Sequence, residues 1–430
     1  MSKKSTKKTK FQTLRGMKDV LPESQKYWDI IRGNIDKLMK AYRYGRIDLP
    51  ILEDANLFIR GVGKQTDIVE KEMFAFVDQG NDNVALRPEP TAGIARAYVE
   101  HGMLSLPQPV KLYCLGPMFR REKPQSGRQR QFYQFGCEVL GSADAVIDSQ
   151  LINICYQFFK ELNIDAVAQI NSIGCPECRA GYIKTLVAYY KNKKASICEN
   201  CRKRLVKNPL RLLDCKEQKC QVFKESAPQI LDWLCEECRA HFEQVLEYLD
   251  GMEIPYSLNP SLVRGLDYYN KTVFEFYEAS EAEERQNALG GGGRYDYLIQ
   301  LLGGQPACAA GFGIGVERVI AKIRDNGLKI SEPKYDIFIA QLGSQAKAQA
   351  MTLFDQMRLA GISVAESFHK DSLKSQLEMA NKLKVLYTII IGQKEVIGGT
   401  VLLRNMEGGV QEIVNYKKII DDVKKRLGQR

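Results

Sequence analysis

The segment GPMFRREKPQSGRQRQFYQFGCEVLG, residues 116–141, decides the fold. Its two ends carry the alternating, β-rich pattern of strands, while its middle crowds Arg120, Arg121, Lys123, Arg128 and Arg130 into 11 residues. Two strands joined by a basic loop are therefore expected. A solvated hairpin loop is one reading of so many cations. The other is phosphate binding: a planar guanidinium grips two phosphate oxygens at once, so a strand-borne arginine suits an α-phosphate that gains charge during displacement. Arg120, the first of the cluster, is the candidate for that grip.

Outward from this segment, apolar residues recur at helical spacing from Trp28 to Met39, after a turn at Pro22, and YGRIDLPILE at 44–53 reads as extended. Residues 72–87 and 110–121 read as strands with the helix AGIARAYVEHG between them. Strand patterns return at 271–278, at 285–289 before GGGGRYD, and at 306–315. Together these pieces predict an α+β fold, an antiparallel sheet flanked by helices, over residues 11–330. Past Pro333, strand and helix alternate at short spacing, which predicts a separate α/β domain with a mixed sheet over 334–430. Residues 1–10, MSKKSTKKTK, read as a frayed basic tail.

The chain of 430 residues is long enough for two or three domains. Its 44% hydrophobic and 27% charged residues describe a globular protein, and no apolar run approaches the ~18 residues of a membrane span. A formal charge of +10 suits a polyanionic partner, because bound cations release condensed counterions. No apolar signal core follows the basic N-terminus, so a cytoplasmic protein is expected, and the 12 cysteines point to reduced thiols or metal ligation rather than disulfides.

Three ordered segments carry a resemblance. YGRIDLPILE with Pro50, FRREKPQSGRQRQFYQFGCEVLG, and GFGIGVERV at 311–319 resemble motifs 1, 2 and 3 of the class II aminoacyl-tRNA synthetases. With RPEPT at 87–91 and RGLDYY at 264–269, the chain is similar to the histidyl-tRNA synthetases over residues 11–430. The resemblance implies activation of L-histidine by ATP with Mg2+, transfer to histidine tRNA, and a homodimer with motif 1 at its interface. It places Glu89, Thr91 and Gln134 at the histidine ammonium, and Glu138 and Tyr269 at the imidazole with Tyr268 and Tyr295 nearby. Arg120 and Arg264 then flank the α-phosphate and are the catalytic candidates, each also close to the histidine. ATP falls to Arg120, Glu122, Phe132, Gly311, Gly313, Gly315 and Arg318. Lys123 and Gln125 approach the first base pair of the tRNA, and the final domain corresponds to the anticodon-binding domain.

Read by themselves, the glycines of GFGIGVERV do not form a dinucleotide fingerprint, because Val316 stands where that pattern wants glycine or alanine. Without side chains they let a flat ring lie against the backbone; a tight strand-to-helix junction is the plainer alternative. His101, His241 and His369 all fall outside these motifs, so imidazole is expected as the substrate's group rather than the enzyme's base.

Residues 174–240 form a distinct basic insertion, with 14 Lys and Arg against 8 Asp and Glu and eight of the twelve cysteines. Cys175-x2-Cys178 and Cys198-x2-Cys201, with 19 residues between the pairs, fit one four-thiolate zinc template, and Cys215, Cys220, Cys235 and Cys238 a second. The helical pattern around them instead favours reduced thiols in a packed insertion, and both readings stand at this point. Two other functions fit parts of the sequence. A synthetase-like regulatory subunit of ATP phosphoribosyltransferase would keep the fold without the terminal domain, and a zinc-dependent nucleic-acid binder would leave RPEPT and RGLDYY without a role.

Overall fold

A computed structural model describes residues 11–122, 129–281, 288–328, 330 and 334–428. The chain divides into two compact units, residues 1–329 and 330–430. In the first, eleven strands run in chain order: β1 (Gly45–Arg46), β2 (Leu52–Asp54), β3 (Phe74–Val77), β4 (Asn83–Leu86), β5 (Val110–Phe119), β6 (Gln131–Leu140), β7 (Ala166–Ser172), β8 (Tyr256–Leu258), β9 (Asn270–Glu278), β10 (Gly290–Arg294) and β11 (Ala309–Gly315). Eight form one sheet in the order β1-β5-β6-β11-β10-β9-β7-β8, and β2, β4 and β3 form a small antiparallel sheet. The large sheet is antiparallel from β5 through β7, with a parallel strand at each edge.

Alternation along the strands builds two faces. Phe135 on β6, Phe312 on β11 and Phe276 on β9 point to the side covered by the helix Ala145–Glu161, where Phe135 meets Phe158 at 5.4 Å and Phe276 meets Phe159 at 5.4 Å between ring centroids. These rings are buried, each contributing roughly 2–3 kcal/mol of apolar transfer. Their sequence neighbours Gln134, Gly313 and Glu275 face the other side, where a cavity opens.

The helix Pro22–Tyr42 starts with proline at its first turn and stops at Arg43, whose φ of 58° is left-handed. Its buried Trp28, Ile31, Ile35, Leu38 and Met39 follow the predicted periodicity. Two expectations for this unit need correcting. Along YGRIDLPILE and the residue after it only Gly45–Arg46 and Leu52–Asp54 are strands, interrupted by Pro50, which supplies no ladder donor. The strand expected at 285–289 is instead β10, made of GGGGR itself; residues 282–287 lie outside the described set. Glycine is tolerated in that strand because any side chain would overlap its flanking strands: a Cβ at Gly292 would collide with the Gly311 carbonyl of β11, and one at Gly291 with Arg264 and the Phe274 carbonyl of β9.

One buried ion pair pins sheet to helix. Arg294, wholly buried at the end of β10, donates to Asp148 of the helix Ala145–Glu161 and to the Ser142 and Asp144 carbonyls at 2.8 and 2.9 Å. Burial alone would raise the Asp148 carboxyl, but the Arg294 charge and the His241 contact hold it below its ordinary value.

The second unit holds β12 (Ile337–Gln341), β13 (Val364–Glu366), β14 (Tyr387–Ile391), β15 (Thr400–Asn405) and β16 (Gln411–Asn415) in the order β13-β12-β14-β15-β16. Its first three strands are parallel and its last two antiparallel, a mixed sheet.

Candidate active site

The cavity on the open face of the large sheet has a volume of about 300 Å³. Its walls come from distant parts of the chain, among them Glu89 and Thr91, Arg120, Phe132 and Gln134, the 264–269 turn, and Arg318. Arg120 and Arg264, 144 positions apart in sequence, thus share one hollow.

Glu89 is held from below. Its two carboxylate oxygens accept the backbone N–H groups of Thr91 and Ala92 at 2.8 and 2.9 Å, capping the helix Thr91–Glu100. Burial lifts its pKa, against these bonds and the Arg120 charge. The Tyr268 hydroxyl reaches Glu89 at 3.5 Å. Pro90 introduces this helix, with its carbonyl accepting from the Ile94 N–H at 2.9 Å.

Arg120 donates Nε to the Pro88 carbonyl at 2.9 Å and lies over the Phe132 ring at 5.3 Å. That anchors its position in the cavity wall. Arg264 pairs with Glu275 and stands over the Tyr269 ring at 5.6 Å. The Arg264 partner is thus Glu275 rather than the sequence-near Asp267, which accepts from Asn208 at 2.8 Å. Burial opposes the Arg264 charge, but Glu275 and the two tyrosines outweigh it, so the guanidinium stays firmly protonated.

Glu138, Tyr295 and Gly311 are not on the wall but directly beneath it. Thr91 Oγ1 donates to Glu138 at 2.7 Å, the Tyr295 hydroxyl donates to the other carboxylate oxygen, and the Tyr268 and Tyr295 rings meet at 5.4 Å. Burial pushes Glu138 up to about 8, against the two hydroxyl donors. Strand register explains the glycines here. Gly311 lies opposite Glu138, Gly313 opposite Gly136, and Gly315 opposite Gln134. A Cβ at Gly311 would overlap the Glu138 carboxylate, and one at Gly313 the Gln134 amide. The space above Gly311 thus belongs to Glu138 rather than to a ring, whereas Gly313 and Gly315 border the cavity.

The helix Val316–Asp325 starts at the cavity, with Glu317 and Arg318 in its first turn. Glu317 accepts the Tyr133 N–H at 2.9 and 3.0 Å, and burial pushes it up to about 7 against that bond. Arg318 donates to the Ala288 carbonyl. Glu122 lines the cavity, while Lys123 and Gln125 lie outside the described residues.

A family model for histidyl-tRNA synthetase matches residues 16–319, and one for an anticodon binding domain matches residues 336–426. The chain belongs to the histidyl-tRNA synthetase family. It is 44% identical over 419 residues to the histidine-tRNA ligase of Dehalococcoides mccartyi, covering 97% of this chain and 100% of the relative. The histidine-tRNA ligase of Caldicellulosiruptor bescii is 41% identical over 420 residues, with 97% and 99% covered. Among solved structures, apo histidyl-tRNA synthetase of S. aureus superposes with a TM-score of 0.80 at 33% identity, covering 96% of this chain and 100% of that one. As a member of the family, the protein is an aminoacyl-tRNA synthetase, a ligase.

Six further cavity residues with polar side chains were not singled out from the sequence of this synthetase: Gln129, Asp214, Lys216, Glu275, Tyr277 and Glu317. Glu275 and Tyr277 were within reach, since they continue the alternation of β9 from Val273 on the same face. Asp214 and Lys216 were not. They flank Cys215 in the insertion, whose path back to the site no local pattern reveals.

The eight insertion cysteines group differently from the sequence expectation. Cys175, Cys178, Cys235 and Cys238 form one cluster and Cys198, Cys201, Cys215 and Cys220 the other, with the sulfurs of each cluster within 4.8 Å of one another. Both CxxC pairs once assigned to a single set are therefore separated. The helices Pro176–Lys191 and Glu236–Gly251 bring their N-termini together, so the first and last pairs meet.

Proposed function

We propose that this chain joins L-histidine to histidine tRNA in two steps at the cavity bearing Arg120 and Arg264. A histidine carboxylate oxygen attacks the α-phosphorus of ATP, supplied with Mg2+ as the substrate complex. The bond from that phosphorus to the β-bridging oxygen breaks, pyrophosphate leaves, and histidyl-adenylate remains. The carboxylate is already ionised at neutral pH, so no enzymic base is needed. Among the described histidines, His241 is buried against Asp148 at 3.6 Å, and none lines the cavity. In the second step the terminal ribose hydroxyl of the tRNA attacks the adenylate carbonyl and AMP departs.

The observation that carries this reading is the convergence of Arg120 and Arg264 on one hollow floored by buried carboxylates and phenols. Two guanidiniums on either side of the α-phosphate stabilise charge that grows during displacement. Glu89, Thr91 and Gln134 take the ammonium end; Tyr268 and Tyr269 face the imidazole, with the Glu138 carboxylate and the Tyr295 phenol directly beneath them. A wrong side chain leaves those buried groups unpaired, which is enough for roughly 10⁴- to 10⁵-fold rejection without editing. Glu122, Phe132, Gly313, Gly315 and Arg318 border the nucleotide. Residues 334–430 read unstacked anticodon bases. The working form is a cytoplasmic homodimer; among the described residues no helix is long and apolar enough to cross a membrane.

Exchange of pyrophosphate into ATP, dependent on the amino acid supplied, tests the reading. Exchange with histidine and not with the other amino acids is expected. Absence of histidine-dependent exchange in folded protein would refute it, as the regulatory-subunit alternative predicts.

A further inference from the structure

The insertion touches the catalytic turn from behind. Arg211 Nη1 donates to the Gly265 carbonyl at 2.8 Å, Asn208 Nδ2 to Asp267 at 2.8 Å, and Arg179 Nη2 to the Tyr269 carbonyl at 3.0 Å. These three bonds span the turn that presents Arg264 and Tyr269 to the cavity. Arg179 lies on the helix Pro176–Lys191, while Asn208 precedes and Arg211 lies in the short turn Pro209–Leu212 that follows the helix Glu199–Lys207. An apolar core that includes Tyr182, Leu186, Leu205, Leu212 and Leu213 packs these elements, and the buried cysteines among them offer a second kind of fastening.

The sulfur geometry supplies it. A tetrahedral zinc site with bonds of about 2.3 Å has sulfur-to-sulfur edges of about 3.8 Å, whereas a disulfide brings sulfurs to about 2.0 Å. Cys175 and Cys178 are 3.5 Å apart, and Cys198 and Cys215 are 3.8 Å apart. Backbone N–H groups also point at sulfur, as they do toward thiolates: Cys235 N to Cys178 at 3.1 Å, Cys198 N to Cys220 at 3.2 Å, and Cys201 N to Cys198 at 3.3 Å. Cys175, Cys198 and Cys235 each sit at the N-cap of a helix with their CxxC partner in its first turn, where the helix dipole favours the net negative charge of four thiolates on one zinc. This arrangement removes the objection that a helical insertion cannot ligate metal.

We propose that the insertion contains two structural zinc sites with four thiolates each. Cys175, Cys178, Cys235 and Cys238 clamp its entry to its exit, and Cys198, Cys201, Cys215 and Cys220 fix its interior. Their role is positional. The first holds Arg179 against Tyr269; the second holds Arg211 against Gly265 and sets Asp214 and Lys216, the neighbours of Cys215, in the cavity wall. Donors with only cysteine sulfur, all four in place, suit zinc and leave no position open for catalysis.

The test is metal analysis of full-length protein purified without chelator. Two zinc per chain are expected, and cobalt exchanged into both sites should give the intense visible absorption and sulfur-to-metal charge transfer of tetrahedral thiolate ligation. Cys238→Ser and Cys215→Ser should each lower the count from two to one. Zinc below a tenth of an equivalent with all eight thiols open to titration, iron in place of zinc, or a single zinc in the unsubstituted chain would overturn the assignment. Where a variant fails to fold, the zinc count and cobalt spectrum of the unsubstituted chain still decide. Stripping zinc should weaken histidine-dependent exchange at least tenfold, with recovery on adding zinc; unchanged exchange would overturn the positional role. The proposal rests on the functional reading only in that last measurement. An active enzyme without zinc sinks the metal sites alone, and a zinc-loaded protein without exchange sinks the proposed activity alone.

Discussion

Replacing Arg264 by alanine should slow adenylate formation by about 10² to 10³, equivalent to about 3–4 kcal/mol, the typical loss of one preorganised transition-state donor. The structure adds a second cost that must be separated from the first. Arg264 pairs with Glu275, and the two side chains are 17% and 18% exposed. Breaking a buried pair by removing one partner costs about 3–5 kcal/mol of stability; the partial exposure here and the Tyr277 hydroxyl, which still donates to Glu275, lower that to about 2–3 kcal/mol. The double variant Arg264→Ala/Glu275→Gln removes the stranded carboxylate, so most of the lost stability returns. The rate does not, because the guanidinium is still missing at the α-phosphate. Single-turnover adenylate formation at saturating ATP and histidine measures the rate, urea midpoints measure stability, and Glu275→Gln alone serves as control. A single variant within threefold of the unsubstituted rate, or a double variant whose rate recovers with its stability, would refute direct action by Arg264.

Glu138 gives a pH signature. Its folded pKa, about 8, lies above the unfolded value near 4.5, so the stability it contributes is fully present below about pH 4.5 and lost as pH rises through 8. Glu138→Gln does not titrate, so its stability relative to the unsubstituted chain should rise with pH, by up to about 1.4 kcal/mol per unit across that window; equal urea-midpoint differences at about pH 5 and about pH 8 would contradict the burial argument. Asp148→Asn strips the main partner from wholly buried Arg294 and should cost about 3 kcal/mol by denaturation, the low end for a broken buried pair because Asp296 at 3.2 Å and two carbonyls remain. Gly313→Ala forces a methyl into the Gln134 amide and should lower kcat/KM for histidine at least tenfold with little change in thermal midpoint; unaltered kinetics would show that Gln134 has room to move.

Local chemistry was legible wherever a single segment carries it. The strands at the two ends of 116–141, the helix beginning at Pro22 and the mixed sheet past Pro333 follow from period, proline and turn residues within one window. The GGGGR strand was not legible, since propensity argues against four glycines in a ladder. Only the closeness of β9 and β11, which would collide with any Cβ, makes glycine the fitting residue there.

By itself the sequence determined the order of the elements, the basic character of the insertion, and the arginine, carboxylate and tyrosine segments from which the site is drawn. It also determined that six of the eight insertion cysteines come in CxxC pairs, each spanning one helical turn. Tertiary structure alone decided which pairs combine, since helix N-termini 60 positions apart, at Cys175 and Cys235, meet in space. It decided likewise that Asp214 and Lys216 border the cavity and that Glu138 and Tyr295 lie beneath it. The physical reason is the same in each case. Secondary structure is set by interactions a few residues long, whereas a binding site is set by strand register and by helix ends that converge, and these join residues that share no local pattern.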